Sequence, residues 1–420
     1  MALIDGMMVA VALPVIARVL RVSAANAILV VSAYQLATAA LILPTSALSA
    51  RLGLKRVYVA AVALLGLGSF ACAFAPTLPA LIAARVVQGA GGAGITALTN
   101  ALLRRVYPAE RLAGALAVNA AVAAVALSAG PSLAALMLSL LSWRWLFLVN
   151  LPVAGFALFA GLRWLGDDQQ PARSASLGGM LLSVAAGASV VLALNLMAQG
   201  AALGWTAAGA LAAAGAWIAF VAHQRRATRP LLLTSPLRTL ALRSSIVVYF
   251  LAAFAQTSAY LAIPFLLRGE GYGPAQIGLM FTAWPIAVLA MGRLSARLCG
   301  RYPRGVLSAA GLAAMGAGLL GVALAAGASR ALAVGLIALG GLGYGFYQIP
   351  NTQMLVTSVP MAQAADATAM GALSRAIGQA SGAAGVALCL RLLGERGPEL
   401  ALALAAALAV LAAYVSLRRP

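Results

Sequence analysis

The chain has 420 residues, of which 63% are hydrophobic and only 9% charged, and its mean hydropathy is +1.00. Soluble domains carry about 25% charged residues, and disordered chains are poor in apolar ones, so both classes are excluded and a polytopic membrane protein remains. The net charge of +20 comes from 27 arginines and Lys55 set against eight acids.

These basic residues fall in short clusters between apolar runs. That is the positive-inside pattern of a membrane protein rather than a nucleic-acid surface. Cys72, Cys299 and Cys389 lie far apart, and His223 stands alone, so neither a disulfide framework nor a metal site is expected. The first apolar run lacks a basic leader and reads as a span, not a cleaved signal.

A spanning helix needs about 20 mainly apolar residues. Fourteen segments meet that test: 2–20, 26–48, 57–75, 78–102, 112–140, 144–164, 177–197, 205–222, 245–266, 275–295, 305–326, 331–355, 364–391 and 399–416. Counting Arg and Lys on alternate sides gives nineteen against seven, with Arg85 and Arg375 left inside spans. The richer side is expected to be cytoplasmic, and it includes both termini. Leu48-Ser49-Ala50-Arg51-Leu52 recurs as Leu294-Ser295-Ala296-Arg297-Leu298 after the tenth segment. This repeat predicts an all-α membrane fold of two six-helix bundles, 1–164 and 229–420, with an inserted helix pair at 165–228.

Ionisable groups within spans are candidates for function. Asp5 reads either as a proton-carrying carboxylate or as a helix-end acid placed by the helix dipole. Asp366 lies near a span start. Arg85 and Gln88 share a helix face at i and i+3. The glycines that follow, Gly89, Gly91, Gly92 and Gly94, spell a dinucleotide-binding pattern, but no strand precedes them, so they are expected to serve close helix packing. Gly130-Pro131 interrupts the fifth span. Pro14, Pro44, Pro152, Pro264, Pro285 and Pro350 also fall inside spans, where proline removes a backbone donor.

Tyr344, Tyr347, Gln348 and Asn351 form one stripe on the twelfth span. With Tyr34, Gln35, Asn119, Gln256, Tyr260, Trp284, Arg375 and Gln379 they line a substrate cavity or hydrogen-bond helices together. A wet cavity with aromatic and amide walls and little fixed charge suits amphipathic or cationic organic molecules. There is no Ser/His/Asp set and no P-loop, so no enzyme activity and no use of ATP are expected.

At these residues the chain resembles the major facilitator superfamily, and within it the fourteen-span drug:proton antiporters. The resemblance rests on Arg85-Val86-Val87-Gln88-Gly89-Ala90-Gly91, on Asp5 with Ala12-Leu13-Pro14, on Gly130-Pro131, on the run from Trp143 to Pro152, and on Arg375 with Gly378 and Gly382. Gly53, Lys55 and Arg56 keep part of the family's loop between the second and third spans. The resemblance implies proton-driven efflux of small organic molecules from the inner (plasma) membrane by a monomer working by alternating access. Its only energy source would be the proton gradient, with no cofactor and no nucleic-acid partner. It assigns proton coupling to Asp5 and Arg85, and the export-favouring bend to Gly130 and Pro131. A metabolite or siderophore exporter, or a non-transporting receptor or scaffold, are the alternatives.

The departures are Ser46, Ala50 and Leu54, where the family's loop has a glycine, an aspartate and an arginine, together with Ala10, Ala126, Ala134 and Ala135. Only Met1-Ala2-Leu3-Ile4 precede Asp5, about 6 Å of helix. Asp5 therefore either sits near the cytoplasmic surface or is preceded in the native protein by roughly ten further apolar residues that complete the span. Because Ala50 replaces the acid that latches the cytoplasmic gate, Ala50→Asp should shift the resting population toward the outward-open state. Distances between spin labels on the two cytoplasmic loops measure this, and an unchanged distribution would refute it.

Overall fold

A computed structural model describes residues 2–166, 177–199, 203–226, 239–325, 329–359 and 364–418. The side chains of Ala50, Arg293 and Asp366 lie outside the described residues, as does the expected boundary at 228/229.

Each apolar segment folds as helix. The elements are α1 (Ala2–Val19), α2 (Ala24–Leu52), α3 (Leu54–Phe74), α4 (Leu78–Val106), α5 (Ala109–Leu140), α6 (Trp145–Leu148), α7 (Asn150–Trp164), α8 (Leu177–Gln199) and α9 (Leu203–Arg226). They continue as α10 (Leu240–Gly269), α11 (Pro274–Phe281), α12 (Ala283–Leu298), α13 (Arg304–Leu324), α14 (Arg330–Thr357), α15 (Ala364–Leu393) and α16 (Gly397–Leu417). Among the described residues, ten helical stretches are long and apolar enough to cross a membrane; one of them, Met370–Leu417, runs through α15, a 3-10 turn and α16. α5 and α8 contribute the shorter apolar stretches Ala129–Leu140 and Leu181–Val190.

Two of the prolines read as span interruptions coincide with breaks. α6 gives way to α7 at Val149, three residues before Pro152, and α11 to α12 at Thr282, three residues before Pro285. A proline cannot donate to the carbonyl four residues back, here that of Leu148 or Phe281, and the helix resets at that point. Pro14, Pro44, Pro131, Pro264 and Pro350 lie inside unbroken helices. The two copies of the repeated pentapeptide occupy equivalent places, since α2 ends at Leu52 and α12 at Leu298. After the first copy the chain turns into α3 through Gly53 alone, at φ 95°. A side chain there would be strained by about 1–2 kcal/mol.

The chain forms two compact units. One comprises residues 1–6, 29–127 and 141–231, the other 7–28, 128–140 and 232–420. In the first, α3 packs on α4 and α7, and α8 on α9. In the second, α13 packs on α14 and α16, α12 on α14, and α10 on α15 and α16.

Small residues set the spacing of these pairs, because no hydrophobic force drives helices together in lipid and close backbone approach takes its place. A Cβ on Gly91 of α4 would stand 2.5 Å from the Ala61 carbonyl oxygen and 2.7 Å from Leu65 Cα of α3. A Cβ on Gly341 of α14 would stand 2.9 Å from Trp284 Cα of α12. Gly91→Val should therefore lower stability by about 1–3 kcal/mol through overpacking. Thermal unfolding of the detergent-solubilised protein measures it, and an unshifted midpoint would contradict the tight α3–α4 approach.

Candidate functional site

The first unit buries a charged pair. α4 starts at a fixed point: the Thr77 side chain accepts from Ala80 N–H, and Pro79 lies in the first turn. Two turns on, Arg85 and Gln88 point to one side. Arg85 Nη1 donates to Asp5 Oδ2 at 2.5 Å and to Gln88 Oε1 at 2.6 Å, while Nε donates to the Val30 carbonyl of α2 at 3.0 Å. Arg85 is fully buried and Asp5 is 1% exposed. The guanidinium carbon also stands over two rings, 4.5 Å from the Tyr34 centroid and 5.8 Å from that of Phe147. Desolvated cation–π contacts of this kind contribute up to about 2 kcal/mol.

The carboxylate is met from three sides. Besides Arg85 on Oδ2, Asp5 Oδ1 accepts from Gln88 Nε2 at 3.0 Å and from Asn150 Nδ2 at 2.8 Å. Gln88 Nε2 also donates to Ser69 Oγ of α3 at 2.8 Å, and Ser69 Oγ in turn donates to the Leu65 carbonyl at 2.8 Å. Cys72 Sγ lies 3.8 Å from Gln88 Oε1. Arg85 Nη2 is buried with no hydrogen-bond partner among the described residues. An ion pair out of water persists only when its other donors and acceptors are satisfied, and removing one partner typically costs about 3–5 kcal/mol.

The depth of the pair follows from helix register. Ser69, Arg85 and Asn150 lie five to seven residues inside Phe74, Leu78 and Trp145, the near ends of their helical segments. At 1.5 Å per residue that is about 8–10 Å. Asp5, hydrogen-bonded to this layer and buried, is thus held inside the unit and is not a surface acid.

Ser69 is not among the residues that the sequence singles out, and Asn150 enters there only within the run from Trp143 to Pro152, with no role of its own. Asn150 had a signal: it is an amide within an apolar run, beside the proline that breaks the span. Ser69 had none, because a serine that bonds its own helix is common in membranes. Tyr34, a candidate for the substrate cavity, has its ring against the Arg85 guanidinium. Gly89 lets α4 approach α2, since a Cβ there would stand 2.6 Å from the Tyr34 carbonyl oxygen.

The other candidates are dispersed. Gly53 makes the turn before α3, Lys55 is half-buried and Arg56 exposed at the start of that helix, and Asn119 is exposed on α5. In the second unit, Gly130 and Pro131 are buried, and Gly278 of α11 packs against this part of α5: its Cβ would lie 2.7 Å from the Pro131 carbonyl oxygen. Ser132 and Thr282 share a hydrogen bond of 2.8 Å beside it.

The polar stripe and its neighbours do come together in that unit. Gln256 Nε2 donates to Tyr260 OH at 2.9 Å. Tyr260 stands edge-on to Trp284 at 5.7 Å, and Tyr344 to Tyr347 at 5.1 Å. Gln348 and Arg375 are half-exposed. Asn351 is fully buried, and its amide points at the Ser245 carbonyl of α10 at 3.5 Å, a helix-to-helix tie.

A family model described as Major Facilitator Superfamily matches residues 1–385. The chain belongs to the major facilitator superfamily. It is 36% identical over 420 residues to the uncharacterized transporter YebQ of Escherichia coli strain K12, covering 99% of this chain and 92% of that one. It is 32% identical over 390 residues to the multidrug resistance protein Stp of Mycobacterium tuberculosis strain H37Rv, covering 91% and 72%. Among solved structures, a POT family transporter in complex with 5-aminolevulinic acid matches with a TM-score of 0.73 at 12% identity, covering 99% of this chain and 93% of that one. The human organic anion transporter MFSD10 (TETRAN) matches with a TM-score of 0.67 at 16% identity, covering 99% and 96%. At such identities the structural likeness speaks for the fold.

In this major facilitator transporter, Asn150→Leu should strip one donor from a buried carboxylate and lower stability by about 1–3 kcal/mol. The melting midpoint in detergent reads this out. A midpoint equal to wild type would remove Asn150 from the network.

Proposed function

We propose that the chain is a proton-driven exporter of small organic molecules that works by alternating access. The observation that carries this reading is the buried Asp5–Arg85 pair, with Gln88 and Asn150 on the same carboxylate. A proton on Asp5 removes the negative charge that holds Arg85 Nη1. Only interactions that differ between two conformations can shift their populations, and a charge that comes and goes on a helix-crossing link is such an interaction. The drug-resistance relative Stp supports export of drug-like cargo. Tyr260 and Gln348, the partly exposed members of the aromatic and amide group of the second unit, are the candidates for contact with it.

The finer architecture belongs to the same proposal. Fourteen crossings, two six-helix bundles at 1–164 and 229–420, and an inserted pair at 165–228 are supported by the repeated pentapeptide at the ends of α2 and α12. The nineteen-to-seven bias of basic residues supports both termini being cytoplasmic; a monomer in the inner (plasma) membrane is proposed on the family resemblance alone. The proton gradient is its energy source, and no bound cofactor or metal is assigned.

Everted vesicles from a pump-deficient host, loaded against a panel of fluorescent amphipathic dyes, test the proposal. Transport should depend on the gradient and collapse with a protonophore. Arg85→Ala should abolish it while the protein still inserts at wild-type levels. Wild-type flux in Arg85→Ala would sink the coupling role. Gradient-independent behaviour of the wild type across the panel would favour a non-transporting scaffold.

A further inference from the structure

In the first unit, the turn into α6 carries a series of rings from the surface to the buried pair. Leu141, Ser142 and Trp145 are exposed and Arg144 is half-buried, yet Trp143 is 2% exposed and Phe147 is fully buried. Three backbone bonds hold this segment: Trp145 N–H donates to the Ser142 carbonyl, Leu146 N–H to that of Trp143 and Phe147 N–H to that of Arg144, at 3.0, 3.2 and 3.1 Å. Trp143 and Phe147 stand four residues apart, so their side chains share one face of the coil.

The series is continuous. The Arg144 guanidinium carbon stands 5.0 Å from the Trp143 centroid, the Trp143 and Phe147 rings meet edge to face at 6.0 Å, and the Phe147 centroid lies 5.8 Å from the guanidinium carbon of Arg85. Arg85 in turn donates to Asp5. Leu81, one turn before Arg85 on α4 and fully buried, adds an apolar side chain on the same helix face, toward the same end. α6 packs on α3, which brings Ser69 and Cys72 to Gln88. Trp143 Nε1 is buried with no partner among the described residues, so this ring is held by its faces and not latched by a hydrogen bond. Apolar walls of this kind stay dry.

We propose that Trp143 and Phe147 form a gate between Asp5 and the solvent at the turn into α6, closed in this structure, and that Asp5 exchanges its proton with that side when the rings part. Each ring is held by a cation, Trp143 by Arg144 from outside and Phe147 by Arg85 from inside. The exchange is a plain proton transfer: a hydronium ion gives its proton to the Asp5 carboxylate and leaves as water, and the reverse step returns it. That this proton drives transport rests on the exporter reading above; that the rings bar water from the pair does not.

Cys72 supplies the reporter, because it is fully buried and its Sγ lies 3.8 Å from Gln88 Oε1. The full chain carries Cys299→Ser and Cys389→Ser, which leaves Cys72 as its reactive thiol. The probe is the membrane-impermeant anion 2-sulfonatoethyl methanethiosulfonate, applied to intact cells and, separately, to everted vesicles. A chain with Cys72→Ser and Ser142→Cys marks which face of the membrane bears the turn. With both rings present, Cys72 should be protected from either face. Phe147→Ala should speed its modification at least about tenfold, since loss of a buried ring favours local opening, and only from the face that modifies Ser142→Cys. Phe147→Leu refills the slot and should stay within about twofold of the parent rate. Trp143→Ala opens the outer ring of the same stack and decides the matter where Phe147→Ala does not insert. A parent Cys72 that reacts as fast as Ser142→Cys, an unchanged rate in both alanine variants, equal rates in Phe147→Leu and Phe147→Ala, or modification from the opposite face would overturn the gate. Opening in Phe147→Ala of a chain that shows no proton-driven flux would leave the gate standing and overturn the exporter reading instead.

Discussion

Two opposite charges removed from water must satisfy each other and nearly everything around them, and the first unit is arranged about that demand. The Asp5–Arg85 pair needs acceptors for the guanidinium and donors for the carboxylate at one level of the structure. Five helices deliver them: α1 the acid, α2 the Val30 carbonyl and the Tyr34 ring, α3 Ser69, α4 Arg85 and Gln88, and α7 Asn150. Local features far from the pair act through it. The cap at Thr77 sets where Arg85 comes in the register of α4. The reset at Val149, forced by Pro152, makes Asn150 the first residue of α7. The bare Cα of Gly68, where a Cβ would stand 2.6 Å from Gln88 Cα, brings α3 close enough for Ser69 to reach Gln88.

The helices were legible in the sequence because each is a long apolar run bounded by charge or turn residues. Which way each helix faces was much less so. A span that is apolar all round carries almost no amphipathic signal, so rotation about the axis is fixed by partners that pattern alone does not reveal. Asp5 and Arg85 stood out because charge in an apolar run is expensive, and the Arg85–Gln88 spacing followed from helical periodicity. Tyr34 shows the limit: its place on α2 was plain, but only the packed structure sets its ring against Arg85. Asn351 repeats the lesson on α14, where the stripe was correct in register and one of its members ties two helices together. The resemblance carried by the α4 motif and the run from Trp143 to Pro152 supplied the family, and the family model that matches residues 1–385 shows it.

The second unit is held by different means. Backbone contact does much of the joining there. Gly340 and Gly341 admit Trp284, and Gly343 and Gly311 admit each other's helices at carbonyl distance. The aromatic group around Tyr260 and Tyr344 gathers where these helices meet.

Arg85 divides its work unevenly. Nη1 serves two acceptors and Nε a third, while Nη2 serves none among the described residues. A newcomer with a lone pair, whether a water molecule or a carbonyl group, can be met by Nη2 without displacing any existing bond. For this guanidinium, accepting a guest is an addition and not an exchange.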